Sequence, residues 1–213
     1  MTNLSNRLVS LSLWVDKKDN VIDVGSDHAL LPIYLKKNNL CNKVIATDIN
    51  QNALDSGIYN IKRSNLDIES YLSNGLKDID TTDYNTVIIA GMGTKTIKEI
   101  LSYKEKLKTI DKLILQSNKD LFELREFMDK KGYYLKEEQN IFDKGIWYSA
   151  YLYIKSDKKN TEEEIKYGLL NNKDFIKHLI SKYEELLSKI PPKNKAYKEL
   201  KSKVDYLKVI ISK

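Results

Sequence analysis

The chain of 213 residues contains little cysteine, histidine, proline and glycine. A single cysteine, Cys41, excludes an intramolecular disulfide and a cysteine-cluster metal site, so we expect no metal. No apolar run approaches the length of about 18 residues that crosses a bilayer, and the N-terminus has no apolar signal-peptide core. These absences predict a cytoplasmic protein without membrane contact. Hydrophobic residues are 41% of the chain, enough for one mid-sized domain with an appendage.

Arginine is scarce as well, since three arginines stand beside many lysines. Arg7, Arg63 and Arg125 are therefore positions where we expect a planar guanidinium to be needed. The net charge of +6 lies entirely in residues 155–213, because residues 1–154 hold 21 basic and 21 acidic residues. A polyanion such as nucleic acid would be attracted to that end of the chain. A solvent-exposed, lysine-rich helix surface without a partner would give the same excess of positive charge.

Short apolar strands alternate with helical segments through most of the chain. We predict five strands, at 21–24, 43–47, 67–72, 86–90 and 112–115, and four helices, near 29–39, 51–64, 94–107 and 120–131. This alternation predicts a doubly wound parallel sheet. Residues 133–141 and 146–154 then predict an antiparallel hairpin across Phe142–Gly145. Five parallel strands plus a hairpin are typical of the Rossmann-like, class I methyltransferase α/β fold.

Helical periodicity marks both ends of the chain. Leu4, Leu8, Leu11 and Val15 share one helical face before the first strand. Near the C-terminus, apolar residues recur every three and four positions on both sides of Pro191-Pro192, which predicts an antiparallel helical hairpin or coiled coil. We therefore predict a Rossmann-like methyltransferase domain at 1–154 and a lysine-rich helical domain at 155–213.

The first predicted strand ends in Asp23-Val24-Gly25-Ser26-Asp27-His28. Gly25 allows a ligand to approach the backbone closely, and open α/β sheets bind ligands at this edge. The G-x-G-x-x-G pattern that holds a pyrophosphate is absent, which disfavours a dinucleotide oxidoreductase. Two acids, Asp23 and Asp27, favour a ligand with positive charge such as S-adenosylmethionine. His28 is either a helix-start residue or a group that faces the substrate.

Further candidates follow the other strands. Asp48 can accept both ribose hydroxyls of a nucleotide or of S-adenosylmethionine, and Ile49 can pack on the adenine. Asn74-Gly75 either reads the adenine edge or forms a simple turn. Two glycines in Ala90-Gly91-Met92-Gly93 indicate close approach of substrate or cofactor, and Gln116-Ser117-Asn118 directs polar groups to the same edge.

These motifs together resemble one family. The sequence resembles the bacterial tRNA (adenine-22 N1)-methyltransferases in four segments. These are Asp23-Val24-Gly25-Ser26-Asp27-His28-Ala29, Ala90–Gly93, Leu113–Asn118 and Leu124-Arg125. The resemblance implies a class I fold, S-adenosylmethionine as the methyl donor, and transfer to N1 of adenine 22 in the D-loop region of tRNA. Thr94, Ser117 and Asn74 depart from the family pattern, but the acids at Asp23 and Asp48 are retained.

The resemblance also implies roles for individual residues. Asp23, Gly25, Asp27 and His28 would form the first cofactor loop, Asp48 would hold the ribose, and Arg7 would lie near the mouth of the active site. We select Asp27 as the catalytic carboxylate and expect a monomer. A small-molecule or protein methyltransferase, or a non-catalytic RNA-binding protein on the same fold, would carry a similar strand pattern.

Overall fold

The computed structural model describes residues 4–117 and 119–212. The chain divides into two units, residues 1–168 and 169–213. This division falls later in the chain than the predicted one between residues 154 and 155. Asn118, which belongs to the motif at the end of the fifth strand, lies outside the described residues.

Within its described residues, the first unit forms one mixed sheet. The strands are β1 (Asn20–Val24), β2 (Lys43–Asp48), β3 (Glu69–Leu72), β4 (Thr86–Ala90), β5 (Lys112–Ser117), β6 (Tyr133–Asp143) and β7 (Ile146–Lys155). Their order is β3-β2-β1-β4-β5-β7-β6, with β1 to β5 parallel and β7 antiparallel to β5. The Rossmann-like prediction is confirmed. The strand order reverses between β1 and β4, where open α/β sheets form a ligand crevice.

Helices cover both faces of this sheet. They are α1 (Asn6–Ser12), α2 (Leu30–Lys37), α3 (Gln51–Ser64), α4 (Thr94–Ile100), α5 (Leu121–Lys130) and α6 (Glu162–Tyr167), with a 3-10 helix at Lys104–Leu107. Leu11 of α1 and Leu35 of α2 are fully buried in a cluster with Val21, Ile88 and Ile114 of the sheet. The predicted apolar stripe from Leu4 to Val15 belongs to this cluster, which seats α1 beside the sheet.

The β6–β7 hairpin has a tighter turn than the sequence predicts. Lys144 and Gly145 form a two-residue turn with φ of 49° and 81°, which fits the type I′ turn of β-hairpins. Ser149 of β7 pairs with Ser117, the last residue of β5. Because the two strands are antiparallel, residues 142–148 extend beyond the carboxyl end of β5.

Arg125 explains why the first unit reaches Gly168. This buried guanidinium donates to the Ile165 carbonyl at 2.8 Å through Nε and to the Lys166 carbonyl at 2.9 Å through Nη2. Both carbonyls lie in the last turn of α6, where backbone acceptors lack helical partners. The contact ties α6 to α5, so the segment after β7 belongs to the first unit.

The second unit contains α7 (Lys173–Leu187) and α8 (Lys195–Ile211), which pack against each other. Lys208 of α8 forms a 2.6 Å ion pair with Glu184 of α7. The predicted pair of helices around Pro191-Pro192 is confirmed, whereas its coiled-coil geometry stays a prediction. In the described parts of the chain, no helix has both the length and the hydrophobicity that a bilayer span requires.

Candidate active site at the carboxyl edge of the sheet

A cavity of about 830 Å³ opens at the carboxyl ends of the central strands. Its volume lies within the range of about 300–1,000 Å³ that is usual for small-molecule sites. Six of the nine candidate binding residues line it: Gly25, Asp48, Ile49, Asn74, Gly75 and Gly91. The side chains of Asp23, Asp27 and His28, all within the described residues, are not part of this lining.

Asp48 is an acidic group of the cavity that two backbone hydrogen bonds hold in place. Its Oδ2 accepts the Asp27 N–H at 3.0 Å, and its Oδ1 accepts the Asn50 N–H at 2.9 Å. A carboxylate oxygen has two lone pairs, so each oxygen can accept one further hydrogen bond. The pair of oxygens is therefore oriented to receive two adjacent hydroxyls. Ile49, 66% exposed, offers an apolar surface beside them.

Asp23 lies beneath the turn that follows β1, with its side chain buried. Its Oδ2 accepts the Ser26 hydroxyl at 2.7 Å. Burial raises the pKa of the Asp23 carboxyl to about 6, the Ser26 hydrogen bond opposes this shift, and the charge of Asp48 adds to it. A positive group bound nearby would favour the ionised carboxylate. Direct contact of Asp23 with a ligand stays a prediction.

Asp27 and His28 occupy the exposed part of the same turn. Asp27 has a left-handed backbone, with φ of 49°, and its N–H donates to Asp48. The Asp27 and His28 side chains are 65% and 54% exposed, and His28 Nε2 lies 3.7 Å from Asp27 Oδ2. The backbone of Asp27 thus shapes the cavity, whereas the catalytic role of its carboxylate and the binding role of His28 stay predictions.

Two glycines make room where the β1 and β4 loops meet. Gly25 has φ of 73°, and a Cβ added there would collide with the terminal methyl of Met92. Gly91 has φ of 79°, and a Cβ added there would lie 3.2 Å from Arg7 Nη1. Both conformations are strained for residues that carry a side chain. The glycines and the Asp48 acceptors together fit a nucleoside that lies against the strand ends.

Sequence reasoning missed how Gln116 and Arg7 together join four elements. Its Oε1 accepts the Gly91 N–H at 3.0 Å and a hydrogen bond from Arg7 Nη1. The Arg7 guanidinium carbon also lies 5.3 Å from the centre of the Tyr148 ring. These contacts connect α1, the β4 loop, the end of β5 and the root of the hairpin. Arg7 was expected near the site mouth, but its partners depend on packing across the chain.

Residues of α4 and α5 complete the cavity and were also missed. Lys95 and Lys98 of α4, Tyr103 after it, and Phe127 of α5 line the side away from β2. The Lys98 ammonium lies 5.7 Å from the centre of the Phe127 ring. The sequence does contain one indication that these lysines line the cavity. Lys95 and Lys98 come directly after the Gly91–Gly93 loop, on the first turns of a helix that starts at the sheet edge.

Comparison with known proteins shows which protein family this chain belongs to. A family model described as a methyltransferase domain matches residues 4–150. The Bacillus subtilis tRNA (adenine(22)-N(1))-methyltransferase is 28% identical over 98% of this chain and 97% of its own length. The crystal structure of B. subtilis M1A22 tRNA methyltransferase TrmK superposes with a TM-score of 0.84, at 26% identity, and covers 99% of this chain and 100% of that one.

The structure of M. capricolum TrmK in complex with S-adenosyl-homocysteine is 30% identical, with a TM-score of 0.85 over 98% of each chain. The chain belongs to the TrmK family of tRNA (adenine-22 N1)-methyltransferases. The Mycoplasma genitalium protein MG248 is a further relative, 34% identical over 82% of this chain and 81% of its own. Membership of the TrmK family confirms the resemblance drawn from the motifs around Gly25, Gly91 and Gln116.

Proposed function

We propose that this chain transfers a methyl group from S-adenosylmethionine to N1 of adenine 22 in the D-loop region of tRNA, as a cytoplasmic monomer. The observation that carries the proposal is the glycine-lined cavity in which Asp48 presents two oriented acceptors. Solved TrmK structures of this family include a complex with S-adenosyl-homocysteine, the demethylated form of the donor. A site for that nucleoside is therefore consistent with the residues present.

The residues suit the donor at each of its parts. Asp48 would accept the two ribose hydroxyls, and Ile49 would cover one face of the adenine. Asn74, beside Gly75 at the β3 end of the cavity, would read the adenine edge through its amide. The ionised Asp23 would stabilise the positively charged amino acid portion or sulfonium. When bound, the donor supplies an electrophilic methyl group.

Adenine N1 carries a lone pair and needs no covalent nucleophile from the enzyme. The chain's contribution is to hold the base in line, to exclude water and to stabilise charge. N1 normally lies inside a base pair or a tertiary contact, so the base must leave its stack, at a cost of a few kcal/mol. Methylation makes the base cationic, and the Asp27 carboxylate could stabilise it or accept its exocyclic proton.

The lysine-rich second unit would bind the tRNA backbone. Residues 169–213 hold 11 basic and 5 acidic residues, so this unit carries the whole net charge of +6. Phosphate contacts supply affinity and orientation but little sequence information. Base selection would then rest on the first unit, where the cavity lies.

The test is incubation of the protein with methyl-labelled S-adenosylmethionine and total tRNA, followed by mapping of the modified base. We expect label on N1 of adenine 22. Label on protein or small molecules would support another methyltransferase reaction. RNA binding without donor consumption would support a non-catalytic role. Either result would overturn the proposal.

A further inference from the structure

The tip of the β6–β7 hairpin, residues 142–147, carries apolar side chains that folding does not bury. Phe142 is 57% exposed and Ile146 is 53% exposed. Phe142 pairs with Trp147 across the hairpin, and their ring centres lie 5.2 Å apart with planes tilted by 51°. Cross-strand aromatic pairs stabilise hairpins by less than about 1 kcal/mol, which explains the pairing but not the large exposed area.

The hairpin tip stands at the edge of the sheet that contains the cavity. Ser149 is paired with the last residue of β5, and Trp147 lies two residues further out. At about 3.4 Å per residue, Trp147 is about 7 Å beyond the end of β5.

The root of the hairpin is coupled to the site. Tyr148 lies under the Arg7 guanidinium, and Arg7 in turn donates to Gln116, which also accepts the Gly91 N–H. The tip is therefore held in a defined position relative to the Gly91 loop, which lines the cavity. The two charges at the turn, Asp143 and Lys144, cancel, so the tip can offer stacking surface but no net attraction for phosphate.

We infer that the Phe142–Trp147 pair is a stacking platform for the tRNA bases next to the extruded adenine. The inference rests on the proposed function, because only a base that leaves its stack exposes neighbouring base faces to an aromatic group. Stacking of an aromatic side chain on a base is worth about 1–3 kcal/mol by alanine substitution. That range corresponds to a change in affinity of roughly 5- to 150-fold.

The test compares full-length variants on a tRNA that contains adenine 22. Phe142→Ala is expected to weaken tRNA binding by roughly tenfold, by the same factor at low and high salt, while donor binding measured by calorimetry stays unchanged. Phe142→Tyr retains the ring and should bind tRNA nearly as well as the natural protein. Phe122→Ala is the matched control, since Phe122 is 48% exposed on α5, and it should have no effect.

Tryptophan fluorescence gives a second readout that does not depend on activity. The chain has two tryptophans, and Trp14 is buried. Stacked bases quench tryptophan emission, so tRNA should quench the natural protein and leave Trp147→Phe nearly unaffected.

If the natural protein does not methylate adenine 22 of the tRNA, the proposed function itself is overturned. Normal methylation, together with equal tRNA affinity of Phe142→Ala and Phe122→Ala, would overturn only the stacking platform. A change in oligomeric state on Phe142→Ala without a change in tRNA affinity would show that the tip contacts protein, and it would overturn the inference as well.

Discussion

The side-chain oxygen of Gln116 accepts the backbone N–H of Gly91 at a distance of 3.0 Å. Gly91 belongs to the loop after β4, and Gln116 lies near the end of β5, so the bond crosses between the two strands at the cavity edge. The same oxygen also accepts a hydrogen bond from Arg7. One buried amide thereby sets the position of a cavity-lining glycine and of a cationic side chain.

Replacement of this amide should therefore reduce both stability and methyl transfer. Gln116→Leu leaves the Gly91 N–H and the Arg7 guanidinium without this acceptor, and loss of a buried partner costs about 1–3 kcal/mol. We expect that decrease in the free energy of unfolding, measured by urea titration, with a larger loss in kcat than in donor affinity. Gln116→Glu keeps an acceptor oxygen and should retain more stability. Unchanged stability of Gln116→Leu would contradict the bridging role.

Removal of the Asp48 carboxylate should weaken donor binding. Hydrogen bonds to a charged group contribute about 1.5–3 kcal/mol each, so Asp48→Ala should lower S-adenosylmethionine affinity by at least roughly tenfold in calorimetry. Asp55→Ala is a suitable control because Asp55 is an exposed carboxylate on the neighbouring helix α3. Equal donor affinity of the two variants would remove Asp48 from the binding site.

The raised pKa of Asp23 predicts how stability varies with pH. The folded-state pKa of about 6 exceeds the usual value of 3.8, so ionisation of Asp23 opposes folding. The resulting decrease in the free energy of unfolding is absent below about pH 4. It grows as the pH rises and reaches about 3 kcal/mol at about pH 6. Asp23→Asn should be more stable than the natural protein without ligand, by a margin that rises over this interval.

Urea unfolding of the ligand-free protein at several pH values measures this margin. Asp55→Asn, at an exposed site, should show no such trend. A margin for Asp23→Asn that is constant from pH 4 to pH 7 would contradict the raised pKa.

The carboxylate of Asp27 is predicted to act on the substrate base. Asp27→Ala should reduce the methylation rate more than the donor affinity, because its backbone N–H, which supports Asp48, remains in the variant. Single-turnover rates and calorimetry on the same preparation separate the two effects. Equal losses in rate and affinity would make Asp27 a donor ligand only.

Charge reversal on the second unit should alter the salt dependence of tRNA binding. Lys193 and Lys198 are exposed, and each phosphate contact contributes about 0.7–0.9 to the slope of log affinity against log salt. The double change Lys193→Glu and Lys198→Glu should reduce that slope by about 1–2. The same change at Lys17 and Lys18, in the turn before β1, serves as the control. An identical slope for the natural protein and both variants would show that Lys193 and Lys198 do not contact the RNA.

Much of the fold follows from local patterns in the sequence. β4 is apolar after Thr86 and is predicted to the residue, and α3 is likewise predicted over its full length. The helix α6 was missed because it is short, although Thr161 and Glu164 form a capping box that the spacing contains. Its place in the first unit depends on Arg125, whose acceptors are 40 and 41 residues away in the chain.

Site residues could be predicted where a carboxylate or a glycine stands at the end of a predicted strand. Asp48 and Gly91 are such positions, since the carboxyl ends of parallel strands share one edge. The hydrogen bond that Gly91 donates to Gln116 spans 25 residues, and the one that Arg7 donates to Gln116 spans 109. These contacts depend on tertiary packing and have no periodic signal. The exposure of Asp27 likewise follows from the left-handed turn, which the sequence does not specify.

Methyl incorporation into one tRNA, prepared with either adenine or guanine at position 22, shows directly which base and atom the enzyme modifies. We expect close to one methyl group per molecule of the adenine form, located at N1, and no incorporation into the guanine form. Equal incorporation into both forms, or incorporation at another atom of adenine 22, would contradict the proposed function.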